Sequence, residues 1–149
     1  NALLAQLRTE SIALDGISGQ ITNLAEQLSG FIEENRDIPE MAEFNKPLHQ
    51  GVRGLQQLTL LMVSQGMGNP HFLAAGATDY CRYFGNIMLA YMWAKMARVC
   101  IQRPDSEFHQ AKLASARVFF KRIYPETVAL AATIQSGHKH LMEYPEAMM

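Results

Sequence analysis

Tyr83-Phe-Gly-Asn-Ile-Met-Leu-Ala-Tyr-Met-Trp-Ala94 is the stretch on which the fold turns. It carries no charge, and Lys95 and Arg98 follow it. That is too short to span a bilayer, which takes about 20 apolar residues. It reads instead as the middle of a helix over residues 71–102. Wound at about 100° per residue, Tyr83, Phe84, Ile87, Met88, Leu89, Tyr91, Met92, Trp93, Met96 and Val99 spread around nearly the whole wheel. A helix apolar all round is buried on all sides, yet each helix of a lone four-helix bundle should keep one wet face. Two readings stand level. Either this helix crosses the middle of the bundle, or its outer face docks on another domain or subunit, as large exposed apolar patches do.

Outward from this segment the chain is helical in pattern. Pro70 suits a first helical turn, where its missing N–H costs nothing. Before it, Gly66, Gly68 and Asn69 end a second helix over residues 47–65, with Val52, Leu55, Leu58, Thr59, Met62 and Val63 at spacings of three and four. A first helix is expected over residues 2–35 from Leu4, Leu7, Ile17, Ile21, Leu24, Leu28, Phe31 and Ile32. Gly16 and Gly19 weaken it by about 1 kcal/mol each relative to Ala and mark a bend or a close approach. Residues 35–47, with Pro39 and Pro47, read as a polar connection. On the far side the turn Arg103-Pro104-Asp105-Ser106 offers Asp105 or Ser106 as N-cap of a fourth helix, running to about Ser136 and stopping at Gly137. Pro125 inside it cannot donate to the carbonyl of Lys121, which predicts a kink. The tail, residues 138–149, is expected to fray. Sustained alternation and hairpin turns are missing. Short links between long helices favour antiparallel neighbours. The expectation is an all-α single domain over residues 1–149, an up-down antiparallel four-helix bundle.

Composition agrees. With 48% hydrophobic and 18% charged residues the chain is of globular type, and at this length it needs no metal or disulfide to fold. A net charge of −1 gives no general attraction to nucleic acid or anionic lipid. The charge is uneven: acids outnumber bases up to Met67, and bases lead beyond it. Solvated faces, or mutual attraction of acidic and basic helices, account for that. Cys81 and Cys100 on one helix would lie about 28 Å apart, far beyond the roughly 7 Å that a disulfide allows. Free thiols fit a reducing, cytoplasmic setting. No basic run followed by an apolar one opens the chain, so no signal peptide is expected. It starts at Asn1 in helical register, which suggests a piece of something longer.

Reactive constellations are missing. Di-iron bundles need Glu-x-x-His on one face, whereas Glu107 and His109 are two apart. His138 and His140 are a weak metal pair without further ligands. His49, followed by Arg53 and Gly54, suggests a histidine phosphotransfer bundle, but basic residue and glycine stand one position late for that family. Gly51-x-x-Gly54 lies within a helix and reads as a close-packing site, not a phosphate loop. Asp79, Arg82, Arg122 and Glu126 can pair between the third and fourth helices. Met88, Met92 and Met96 read as gap fillers before they read as a greasy ligand site. The sequence therefore assigns no catalytic, cofactor-binding or metal-ligating residue.

Two longer stretches carry a resemblance. One is Ala77-Thr-Asp-Tyr-Cys-Arg-Tyr-Phe-Gly-Asn-Ile-Met-Leu-Ala-Tyr-Met-Trp-Ala-Lys-Met-Ala97. The other is Phe108-His-Gln-Ala-Lys-Leu-Ala-Ser-Ala-Arg-Val-Phe-Phe-Lys-Arg-Ile-Tyr-Pro-Glu-Thr127. They resemble the C-terminal domain of acyl-CoA dehydrogenases of the 3-methylmercaptopropionyl-CoA dehydrogenase-like branch. That pattern reads A-x-x-Y-L-x-x-F-G with W-x-x-M-A, then F-Y-x-x-K-x-x-x-A-R-F-[FY]-x-x-R-x-L-P-E. Tyr80, Phe84, Gly85, Trp93, Met96, Ala97, Lys112, Ala116, Arg117, Phe119, Arg122, Pro125 and Glu126 match. His109 replaces a Tyr and Tyr124 a Leu. The match covers the second half of the chain.

The resemblance implies a longer parent that oxidises acyl-CoA thioesters to 2-enoyl-CoA with FAD and a catalytic glutamate. In that branch the glutamate lies in a segment like Tyr-Glu-Gly-Thr-x-x-Ile-Gln, ahead of this domain. No such segment occurs here, and Glu143-Tyr144 has the wrong order. The fragment alone is expected to be inactive and to hold no cofactor, with FAD in the parent. Its expected partners are the catalytic core and, in a homo-oligomer, a partner subunit. The alternative class is a free-standing helical interaction module, whose role a fold alone does not reveal.

Overall fold

The computed structural model describes residues 2–143, with the side chains of residues 16 and 18–143. Among them every regular element is helical. The expected apolar positions Leu4, Leu7 and Ile17, and the end of the tail at residues 144–149, lie outside the described side chains or residues.

Helix α1 (Ala2–Glu34) buries Ala25 and Leu28 and lays Ile21, Leu24, Phe31 and Ile32 against the core. Gly16 and Gly19 mark no close approach, since a Cβ at either would meet nothing within 4 Å. Helix α2 (Ala42–Gly66) starts earlier than its prolines suggest. Pro39 opens a 3-10 turn (Pro39–Met41), and Pro47 sits inside α2. Burial decides this. Met41, Phe44 and Leu48 are fully enclosed, and that packing outweighs the one backbone bond Pro47 cannot make. The polar connection thus shrinks to a few residues held by Asn35. Its Nδ2 donates to the Phe31 carbonyl at 2.7 Å, its carbonyl accepts from Asn45 at 3.2 Å, and its Oδ1 accepts from Arg98 at 2.6 Å.

Helix α3 (Pro70–Ile101) is capped by Asn69 and packs against α2 on one side and α4 (Glu107–Val118) and α5 (Glu126–Ser136) on the other. α1 packs along α2. Ser106 is the N-cap of α4, as the sequence suggests. The expected fourth helix is not continuous. Phe119–Ile123 form a π-helical turn in which Tyr124 N–H reaches the Phe119 carbonyl at 2.9 Å, and α5 starts after Pro125. Proline has no N–H for the Lys121 carbonyl, so the chain widens by one residue before it and restarts after it. The tail also differs from expectation. Gly137 adopts φ 73°, a backbone that favours glycine, and turns the chain into a short helix α6 (Lys139–Met142).

Candidate functional site

The two faces of α3 are reversed from what its large residues suggest. Toward the core it presents Gly76, Ala90, Ala94 and Ala97 beside Tyr83, Ile87 and Cys100, all buried. Small side chains let neighbouring helices approach closely. The large apolar residues then fall outside. Leu89 is 51% exposed, Met92 53%, Met96 38% and Val99 51%. Gly85 and Cys81 lie on the same outward side, with nothing within 4 Å of a Cβ placed on Gly85. Phe84, Tyr91 and Trp93 fill the flanks, packed on the core; Tyr91 meets Phe31 edge-on at 5.5 Å, and Trp93 stacks on Phe119 at 6.3 Å. Between the two readings of this helix, the structure supports an uncovered outer face.

A concavity lies between α2 and α5, a cleft of about 550 Å³ whose lining includes Pro47, Gly51, Tyr83, Phe120, Tyr124 and Val128. The Gly51-x-x-Gly54 pair makes room here for two tyrosines. A Cβ on Gly51 would lie 1.9 Å from the Tyr124 hydroxyl, and one on Gly54 would lie 2.1 Å from that of Tyr83. Tyr83 donates to the Gly51 carbonyl at 2.9 Å, and Tyr124 to the Pro47 carbonyl at 2.9 Å. Burial pushes the Tyr83 phenol up to about 12. Tyr124 is raised too, first by burial and then by the nearby Tyr83. These hydroxyls remain donors to backbone carbonyls, which is a structural task. The glycines therefore hold tyrosines, and the exposed His49 faces away from them into a separate shallow concavity that Arg36 and Lys46 also line.

A family profile described as acetyl-CoA dehydrogenase C-terminal like matches residues 24–145. The chain belongs to that family. No curated protein matches it. The residues through which this acetyl-CoA dehydrogenase C-terminal-like domain resembles the wider enzymes are mostly used in packing. The Tyr80 hydroxyl meets Thr59 Oγ1 at 2.6 Å, Ala97 and Ala116 are buried, Lys112 lies 5.6 Å over the Phe108 ring, and Arg117 pairs with Glu43 at 2.8 Å. Glu126 takes Arg82 and, at 3.1 Å, Asn86, so of the four charged residues considered for pairing these two meet. The cleft between α2 and α5 does not fit a flavin dinucleotide. No charged side chain lines it, and two phosphates would go unmatched.

Among the described residues the histidines gather into no metal-binding cluster, though His71 and His138 stack at 6.4 Å. His109 Nδ1 lies 2.7 Å from Ser106 Oγ, and His138 meets Asn69 across the bundle end at 3.1 Å. No cluster of three or more metal-ligating side chains occurs among the described residues, and none of their helices is long and apolar enough to cross a membrane. Sequence reasoning missed the polar junction of Asn35, Asn45 and Arg98. Its signal was two asparagines, both buried in the structure, within the stretch read as a polar connection.

Proposed function

We propose that this chain is the C-terminal accessory domain of a longer FAD-dependent acyl-CoA dehydrogenase, in the 3-methylmercaptopropionyl-CoA dehydrogenase-like branch. It acts by packing the outer face of α3 against the catalytic core or a partner subunit of a cytoplasmic homo-oligomer. The parent would oxidise acyl-CoA thioesters to 2-enoyl-CoA. This chain, a single up-down four-helix bundle with its fourth helix interrupted, would contribute docking and no reacting group.

One observation carries the reading beyond the family match: α3 places alanines inward and Leu89, Met92, Met96 and Val99 outward. An uncharged stripe that faces water in the isolated domain gains by being covered. The α2–α5 cleft, by its lining chemistry, supports no flavin role here.

The test is made in the longer polypeptide. The reading frame ahead of Asn1 should encode a flavoenzyme core with a catalytic carboxylate. Met92→Lys in that full protein should weaken assembly and flavin retention, while the same change in the separate domain leaves its helicity intact. An unrelated upstream domain, or a separate domain that binds FAD and reduces dye with acyl-CoA, would overturn the proposal.

A further inference from the structure

The start of α2 and the end of α1 enclose a small basic concavity. Ala42, Asn45, Lys46 and His49 recur at helical spacing and share one face of α2. Ile32, in the last turn of α1, and Arg36, just after it, complete a lining around about 280 Å³. Arg36, Lys46 and His49 bring a guanidinium, an ammonium and an imidazole N–H, and no carboxylate is among the lining residues. Arg36 Nη1 donates to Glu33 at 2.8 Å in an exposed pair. Such pairs hold weakly, and the guanidinium has further N–H groups to give. Glu43 is taken up by Arg117. Asn45 adds an independent observation. It is 7% exposed, and its Nδ2 donates to the Asn35 carbonyl at 3.2 Å. That bond fixes the amide and leaves Oδ1 buried with no donor among the described residues. A buried acceptor left unpaired is costly. The concavity thus combines cationic donors at its rim with an acceptor in its wall.

We propose that this concavity binds a phosphate group with a hydroxyl hydrogen to give, either inorganic phosphate or the phosphate end of a small sugar ester. Its oxygens accept from Arg36, Lys46 and His49, and one O–H donates to Asn45 Oδ1. A tetrahedral phosphate offers oxygens in several directions, which suits donors arriving from two helices. A carboxylate offers two oxygens in one plane and no hydrogen. Arg36, Lys46 and His49 are exposed, so they rearrange around the ion and open the way to Oδ1. α2 begins at Ala42, and the positive end of its dipole lies on the same side. The site is built from α1 and α2 and stands apart from the docking face of α3.

The test titrates inorganic phosphate, ribose 5-phosphate and sulfate separately into the full chain, at constant ionic strength and fixed neutral pH, and follows the amide signals by NMR. Phosphate should saturate at about millimolar concentration and move the signals of Arg36, Asn45, Lys46 and His49 together, the Asn45 side-chain amide included. Sulfate carries a full double charge but no hydrogen at this pH, so it should bind about fivefold more weakly, the size of one neutral hydrogen bond. Tighter saturation by ribose 5-phosphate assigns the sugar ester, and equal or weaker saturation assigns the free ion. Lys46→Gln removes one charged donor and should weaken phosphate about tenfold, with helicity unchanged because Lys46 is exposed. Shifts that climb without saturating, or that spread equally to Arg103, Lys121 and Arg122, would overturn the site. So would sulfate binding as tightly as phosphate, or an unchanged affinity in Lys46→Gln.

Discussion

At Gly51 the space of a side chain is taken by the hydroxyl of Tyr124, and that decides what a methyl group would do there. Inside a helix Gly→Ala ordinarily stabilises by about 1 kcal/mol. A Cβ on Gly51 would lie 1.9 Å from Tyr124 Oη and 2.5 Å from Ile87 Cδ1, so Gly51→Ala should instead destabilise, by about 1–3 kcal/mol as overpacking does. Gly30→Ala, with open space around it, should show the ordinary gain. Urea unfolding of the two variants checks the contrast, and a stabilised Gly51→Ala would contradict this packing. The same tyrosines predict an alkaline limit. Tyr83 has its phenol raised from 10.0 to about 12 by burial, and Tyr124 is raised with it. A raised group contributes stability in full below the unfolded value and loses it as pH rises toward the folded one. Stability should therefore fall as pH rises from about 10, and Tyr83→Phe should flatten that fall in pH-dependent unfolding.

Helix boundaries were legible where local chemistry sets them. Asn69-Pro70 starts α3 and Arg103-Pro104 closes it, because capping and proline geometry act within a turn. The start of α2 was not legible, since the burial of Met41 and Phe44 overrides Pro47 from across the bundle. Nor was the orientation of α3, because a wheel apolar on every side gives no direction. The inward alanines become visible only once α2, α4 and α5 are in place. The glycine pair could be recognised as a packing site but not assigned its tyrosines, which arrive from α3 and the π-helical turn. At this scale the prediction is a reversal of size rules. Ala94→Leu, toward the core, should cost about 1–3 kcal/mol from overpacking. Met92→Lys, on the outer face, should change the stability of the separate domain by no more than about 0.5 kcal/mol. Thermal unfolding of both variants decides it, and equal losses would mean that the outer face is already packed within this chain.

The whole molecule poses the question of what covers α3 from outside. Methionine oxidation can answer it, because the thioether reacts with peroxide in proportion to its access. Met41 is fully enclosed, whereas Met92 and Met96 are 53% and 38% exposed, so in the separate domain the latter two should oxidise far faster. In the proposed assembly the catalytic core or partner subunit covers the stripe. Met92 and Met96 should then slow toward the rate of Met41, while Met67, which is exposed at the α2–α3 turn, stays fast. Peptide mass analysis after a short peroxide pulse reads all four in one experiment, with Met67 as the internal control for peroxide access. If Met92 and Met96 keep the same rates in the longer protein, α3 is not the docking surface and the apolar stripe needs another occupant. If Met67 slows with them, the contact extends over the end of the bundle that carries Asn69 and His138.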